Sequence, residues 1–365
     1  MSAKSKPKSS SVLIITVFSA KEVRQVELNQ RKLKVLNAIV KEYIQTGEPV
    51  GSKALVSRLD NTVSSATIRN DMAELTQLGL IEQPHTSAGR VPSQAGYRLY
   101  IDNLMEHSSI SDEEKQKIDR MLSHSDDPDK LIENASDAMA ELTNMAAVTT
   151  TPTSRQMTVS DVQLIPIGND SCVIVLITSG ETMKSRLIRN LPGLSDELKS
   201  AFGATVSKHI IGKNIVDITM PYVQTLAISL GEFAFEMIPL LIGVYETAKE
   251  AGEASLCLKG QANLLAHPEY APSRIKELLE FMSHRDQVLS LLRRQAPGVS
   301  VILGSEVNQN ALSGSSIVIT RYTTGRSETG LVGLIGPDRM DYSRLISSLE
   351  YFALRLGNLL SGLLK

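Results

Sequence analysis

Between residues 47 and 92 the chain is punctuated so closely that few folds can accommodate it. Leu36, Ile39, Val40 and Tyr43 recur at helical spacing and give a first helix one apolar face, which Gly47 ends as a left-handed cap. After the turn Glu48-Pro49-Val50-Gly51, Ser52 is placed to cap a short second helix through about Arg58, with Leu55 and Leu59 facing inward. Asp60-Asn61-Thr62 breaks that helix. Ser64 or Ser65 can cap a third, in which Ile68, Met72 and Leu75 share one side while Ser65, Thr67, Arg69 and Asn70 share the other. Leu80-Ile81-Glu82-Gln83 and Arg90-Val91 then predict two short strands around the turn-rich tip Pro84-His85-Thr86-Ser87-Ala88-Gly89.

Three short helices followed by a hairpin with a cation at its base suit one target above others. An α-helix fits the major groove of DNA, where Arg pairs bidentately with guanine and Asn with adenine, each good pair giving roughly 1–3 kcal/mol of discrimination. A β-hairpin beside it normally touches phosphate or the minor groove. The competing reading is a protein-binding module whose Arg69 and Asn70 are only a solvated face.

Charge distribution favours the first reading more than net charge does. The whole chain carries a formal charge of -2, but residues 1–105 hold 14 Lys+Arg against 9 Asp+Glu, so the excess of anions lies beyond residue 105. The positive end coincides with the three helices, as phosphate contact requires. At 365 residues, with 42% hydrophobic and 21% charged residues, the chain has room for two or three domains. Cys172 and Cys257 stand 85 positions apart without metal or redox spacing, which fits a reducing cytoplasm and argues against a structural disulfide. No apolar run reaches the ~18 residues of a membrane span. Lys4, Lys6 and Lys8 ahead of Val12–Phe18 imitate a secretory signal faintly, but that apolar core is seven residues long, and residues 1–27 are read as a disordered basic extension.

Beyond the hairpin, Ser93 can cap a connecting helix that ends near Met105–Ser109. Helical material follows from Asp112 to Leu122 and again from Leu131 to Met145. From residue 157 the texture is that of an antiparallel meander, Val159–Pro166, Cys172–Thr178 and Met183–Leu191. A helical block from Asp196 to about Glu250 is apolar almost all round near Leu230, Phe233, Met237, Leu240 and Leu241, so its second face is expected to be covered by a subunit interface, the alternative being an internal core helix. Strands return at Val299–Leu303, Ser316–Tyr322 and Gly330–Gly336 before a terminal helix from Tyr342. This order predicts a multidomain α+β protein in which one sheet domain is split by a helical insertion.

The strings Gly47–Ser52, Val63–Met72 and Leu78–Pro92, with Ile335-Gly336-Pro337-Asp338-Arg339-Met340-Asp341-Tyr342 near the end, resemble the heat-inducible transcription repressor family HrcA. The resemblance covers about Leu28 to Leu364. It implies a winged helix-turn-helix over 28–106 and a GAF-like α+β domain over 107–194 and 254–365, with a mainly helical dimerisation domain inserted at 195–253. It also implies a cytoplasmic homodimer that represses chaperone operons of the groE and dnaK type through the inverted repeat CIRCE, with the chaperonin GroEL promoting the active repressor. By motif position, DNA contacts fall on Ser65, Thr67, Arg69 and Asn70, on His85, Thr86 and Arg90 in the wing, and on Ser52 and Lys53 at phosphate. Dimer contacts fall on Leu230, Phe233, Met237, Leu240 and Leu241.

A ligand-sensing regulator is the alternative, since GAF-like domains hold small molecules elsewhere, although nothing in 157–191 or 299–336 gathers the polar groups of a ligand site. No enzyme is expected, and no cofactor or metal. His85, His107, His124, His209, His267 and His284 form no metal-ligand spacing, and no Gly-x-Ser-x-Gly elbow or phosphate loop occurs.

Overall fold

The computed structural model describes residues 12–19, 22–59, 63–85, 88–106, 108–122, 125–154, 156–168, 170–180, 182–293, 298–307, 309–325 and 328–363, with 12–27 described as backbone. Residues 12–19 and 22–27 depart at once from the expected disordered extension. β1 (Val12–Ser19) and β2 (Glu22–Asn29) pair antiparallel, Val12 opposite Asn29 and Ser19 opposite Glu22, and residues 1–11 of the expected extension lie outside the described residues.

The hairpin leads into α1 (Gln30–Thr46), whose first turn is capped by the Asn29 side chain accepting from the Lys32 amide at 2.9 Å. Gly47 ends α1 at φ 73°, a left-handed conformation that glycine adopts without steric cost. The chain continues through α2 (Ser52–Arg58), α3 (Ser65–Gln77), the two-residue strands β3 (Ile81–Glu82) and β4 (Val91–Pro92), and α4 (Gln94–Leu99) with a π-helical turn at Tyr100–Leu104. Leu36, Ile39, Val40, Leu55, Ile68, Leu75, Leu80 and Tyr97 close a core among these elements.

Next come α5 (Asp112–Met121), α6 (Pro128–Thr143) and a strand, β5 (Ala146–Thr150). β6 (Val159–Pro166), β7 (Cys172–Thr178) and β8 (Met183–Ile188) precede α7 (Asp196–His209), α8 (Met220–Ile228) and α9 (Ala234–Gly252). The chain ends with β9 (Leu256–Lys259), α10 (Pro272–Ser283), α11 (Arg285–Arg293), β10 (Ser300–Leu303), β11 (Ser315–Thr323), β12 (Thr329–Pro337) and α12 (Tyr342–Leu363).

Two separate sheets organise this second part. The larger runs β10-β11-β12-β5-β9, antiparallel throughout, and the smaller is the meander β6-β7-β8. Alternate residues of the large sheet face opposite layers, as a pleated strand demands. Ala147, Val318 and Leu334 join the α6 and α12 side; Ala146, Val148, Ile317, Ile319 and Ile335 join the α10 and α11 side.

The division expected at 107–194, 195–253 and 254–365 is therefore not where the sheets divide. β5 and β9 are adjacent partners, Thr150 opposite Leu256, so everything from 151 to 255 leaves and re-enters the large sheet at one edge. The meander belongs to that excursion. Cys172, Ile174 and Leu176 on its inner face share a core with Leu198, Phe202, Met237, Leu240, Leu241 and Val244. The insertion is thus α+β rather than mainly helical.

Candidate nucleic-acid interface

α3 presents one exposed ridge. Ala66, Arg69, Asn70, Ala73, Glu74 and Gln77 are exposed at helical spacing, while Ile68, Asp71, Met72 and Leu75 are buried on the opposite side. The side chains of Arg69 and Asn70, in the N-terminal half, form no hydrogen bond or ion pair with other described residues. Ala66 and Ala73 flank them without bulk. The ridge can therefore approach a surface closely and offer it a bidentate cation and an amide. Its C-terminal end is occupied otherwise, because Glu74 is ion-paired with Lys32 of α1.

The start of the ridge is held by hydroxyl groups. Ser64 caps α3 by accepting from the Thr67 amide at 3.2 Å, and its hydroxyl lies 2.9 Å from that of Thr67. Ser52 is buried, and its hydroxyl meets that of Ser65 at 3.0 Å, joining the start of α2 to the start of α3. Ser52, Ser65 and half-buried Thr67 thus first hold the two helix starts together, and Gly51 rather than Ser52 occupies the cap of α2. Lys53 beside them is exposed.

The hairpin is anchored to the turn before α2. Val50 and Arg90 exchange backbone hydrogen bonds of 2.8 and 2.9 Å, and Arg90 Nε donates to the Thr76 hydroxyl of α3 at 3.1 Å. Gly89 makes the approach possible: a Cβ there would stand 2.5 Å from the Val50 carbonyl oxygen and 2.6 Å from that of Pro49. Arg90 is half-buried as a result, His85 is exposed near the tip, and Thr86 lies outside the described residues.

Behind the ridge sits an ion pair that the sequence pattern did not single out. Arg31 Nε donates to Asp71 Oδ2 at 2.7 Å and Nη2 to Oδ1 at 2.9 Å, a fork-on-fork bridge between α1 and α3. Asp71 is 1% exposed, whereas half of Arg31 reaches solvent. The hydrogen bond to Asp71 raises the already high Arg31 pKa, so the guanidinium is charged throughout. Asp71 could have been flagged as a carboxylate in phase with Ile68, Met72 and Leu75, but its partner lies 40 residues upstream.

Residues 129–346 match the family model described as HrcA protein C terminal domain. The heat-inducible transcription repressor HrcA of Clostridium botulinum (strain Eklund 17B / Type B) is 33% identical over 339 residues, covering 92% of this chain and 98% of that one. The namesake from Thermobifida fusca (strain YX) is 34% identical, covering 92% and 98%. The chain belongs to the HrcA family of heat-inducible transcription repressors. A solved structure, described as that of a hypothetical protein at 2.2 Å resolution, is 27% identical, covers 92% of this chain and 99% of its own, and superposes with a TM-score of 0.58. Among the described residues no helix is long and apolar enough to cross a membrane, and no cluster of His, Cys, Asp and Glu could hold a metal.

The stretch shared with the HrcA model contains the residues expected at a dimer interface. Met237, Leu240 and Leu241 are not available for one: they are at most 1% exposed and packed inside the insertion against β7 and β8. Leu230 and Phe233 are half-buried on the same core. Exposed apolar residues of the insertion include Ile228 at the end of α8 and Phe235 on α9, 73% and 77% exposed, and Ile238 on α9. The inward face of α9 belongs to Met237 and Leu241, and its other apolar residues, Phe235 and Ile238, are exposed.

Proposed function

We propose that this protein is a repressor of heat-shock chaperone operons that binds an inverted-repeat operator as a homodimer. Residues 28–106 act as a winged helix-turn-helix, with α3 in the major groove and the β3–β4 hairpin as the wing. The observation that carries the reading is the exposed ridge on α3, where Arg69 and Asn70 stand free of protein partners among the described residues. Family membership supports the regulated process, since the relatives are named heat-inducible transcription repressors.

In this reading Arg69 and Asn70 read base edges, Lys53, His85 and the neighbourhood of Thr86 meet backbone or minor groove, and Ser52, Ser65, Thr67 and Arg90 hold the reading parts in place. The large sheet with α6, α10, α11 and α12 is the GAF-like body. The insertion joins two copies through Ile228, Phe235 and Ile238, and twofold symmetry then matches an inverted repeat such as CIRCE. GroEL, as effector, stabilises the DNA-competent form in the cytoplasm, and heat withdraws it.

Selection of bound duplexes from a random pool by the full-length protein tests this directly. An inverted repeat is the expected product; no enrichment would return α3 to a protein-binding role. In a gel-shift titration Arg69→Ala should cost roughly 5- to 150-fold on the selected operator, the equivalent of about 1–3 kcal/mol, with a smaller loss on unrelated DNA. Equal losses on both would put Arg69 on phosphate.

A further inference from the structure

The junction between β12 and α12, residues 337–342, is wedged against the DNA-binding unit. Arg339 Nη1 donates to the Ile44 carbonyl in the last turn of α1 at 3.0 Å, and Arg339 Nε is ion-paired with Glu269. The same guanidinium lies over Gly47, with Cζ 3.2 Å from where a Cβ would stand. Gln94 of α4 donates to Asp338 at 2.9 Å, and Asp338 also accepts from Ser316 of β11 at 2.6 Å. Tyr97 of α4 meets Tyr342 edge to face, ring centres 6.2 Å apart.

A second tie lies along α4. Arg98 Nε donates to Glu306 at 2.6 Å and Arg98 Nη2 to the Val301 carbonyl of β10 at 2.8 Å. Under both ties the apolar core is continuous, running from Leu36 and Leu80 through Tyr97 and Tyr342 to Leu349 and Phe352. A reading unit attached only through its linker would swivel; these ties hold the last turn of α1 and α4 along its length.

We infer that Arg339, Asp338 and the Arg98–Glu306 pair are positioning residues that set which half-site spacing the dimer accepts. This rests on the operator-binding reading above. A dimer binds its second half-site as an intramolecular event, so stiffness between the two readers decides how sharply spacing is discriminated. One base pair more or less moves a half-site by about 3.4 Å and turns it by about 35° around the DNA axis, which a rigid joint cannot follow. Arg339 acts here through Ile44 and Gly47; it touches no base.

The test uses the full-length protein and the selected operator, with the spacer lengthened or shortened by one or two base pairs. The wild type should lose tenfold or more on altered spacers. Arg98→Ala/Arg339→Ala should lose less than about threefold, while its affinity for an isolated half-site and for unrelated DNA matches wild type. Gln94→Ala, which removes one half-buried amide and is the milder perturbation should the double variant not fold, should fall between them. An unchanged spacer profile in folded variants would overturn the inference alone. Tighter binding of the native operator by the variants would overturn it too, by making the ties a brake. Absence of specific binding by the wild type would overturn the operator-binding reading, and the inference with it.

Discussion

Removing one or the other member of the Arg31–Asp71 pair should have unequal consequences, and the inequality follows from burial. Asp71 is 1% exposed and Arg31 49% exposed, although both contribute to the same two hydrogen bonds of 2.7 and 2.9 Å. Arg31→Ala leaves a carboxylate facing the seam between α1 and α3 with both oxygens stripped of donors. Breaking a buried pair in this way costs about 3–5 kcal/mol, and the lower end applies because water can enter where the half-exposed guanidinium stood. Asp71→Asn keeps shape and one acceptor and frees Arg31 to hydrate, so only the charge-assisted part is lost, about 1 kcal/mol. The double variant Arg31→Ala/Asp71→Asn should be more stable than Arg31→Ala alone.

The chain has several cores, so a single global unfolding free energy is not the right readout. Amide hydrogen exchange across α3, between Ile68 and Leu75, reports the local opening instead. Arg31→Ala should lower the opening free energy by roughly 3 kcal/mol, about 150-fold faster exchange, against roughly fivefold for Asp71→Asn. Operator affinity should fall in the same order, since α3 carries the ridge. Equal effects, or a larger effect from Asp71→Asn, would refute the argument from burial and make the bridge an ordinary surface pair.

The proposed dimer surface and the joint give two further expectations. If the proposed dimer forms through this face, Phe235→Asp, at a residue 77% exposed, should leave a monomer by sedimentation with the fold intact, whereas Met237→Asp, in a 0% exposed position, should unfold the insertion; an unchanged sedimentation coefficient for Phe235→Asp would remove this face from the proposal. Burial raises the Asp338 pKa above its ordinary value, with the Ser316 and Gln94 hydrogen bonds opposing, so its favourable contribution is complete at low pH and is lost as pH rises through the folded value. Asp338→Asn, neutral at every pH, should therefore gain melting temperature relative to wild type as pH rises above the ordinary aspartate range; a difference independent of pH would mean that the buried carboxylate is not a cost.

How far this architecture could be read beforehand turns on what each residue must reveal locally. The three short helices of residues 30–77 were legible because their determinants are local: Gly47 at a left-handed cap, Ser64 three residues before the Thr67 amide, and Arg69 and Asn70 out of phase with Ile68 and Met72. The strand β5 was not, and its absence misassigned the meander. Ala146-Ala147-Val148-Thr149-Thr150 is buried at every position, so it shows no alternation, and its small residues follow α6 without a break in apolar texture. Once β5 is present between β12 and β9, the meander has no place in the large sheet and becomes part of the insertion. A similar blindness affects the exposed apolar face of the insertion. Phe235 and Met237 are two residues apart, about 200° around a helix, and nothing in an apolar run says which of them a neighbouring sheet will cover.

The joint was hidden for a different reason. Asp338 and Arg339 stand in a string that resembles a family signature, yet their partners are Gln94, 244 residues away, and Ile44, 295 residues away. A motif so placed has two possible jobs: to shape the turn into α12, or to meet something distant. Asp338 does shape the turn, since its carbonyl accepts from Tyr342 at 2.6 Å. Arg339 has no such local duty, because its side-chain hydrogen bonds among the described residues run to Ile44 and Glu269. Substituting Arg339 should therefore leave the large sheet and α12 intact by hydrogen exchange while loosening Ile44 and Gly47 at the end of α1. Loss of protection in β12 instead would make Arg339 a residue of the sheet domain and remove the mechanical basis for spacing control.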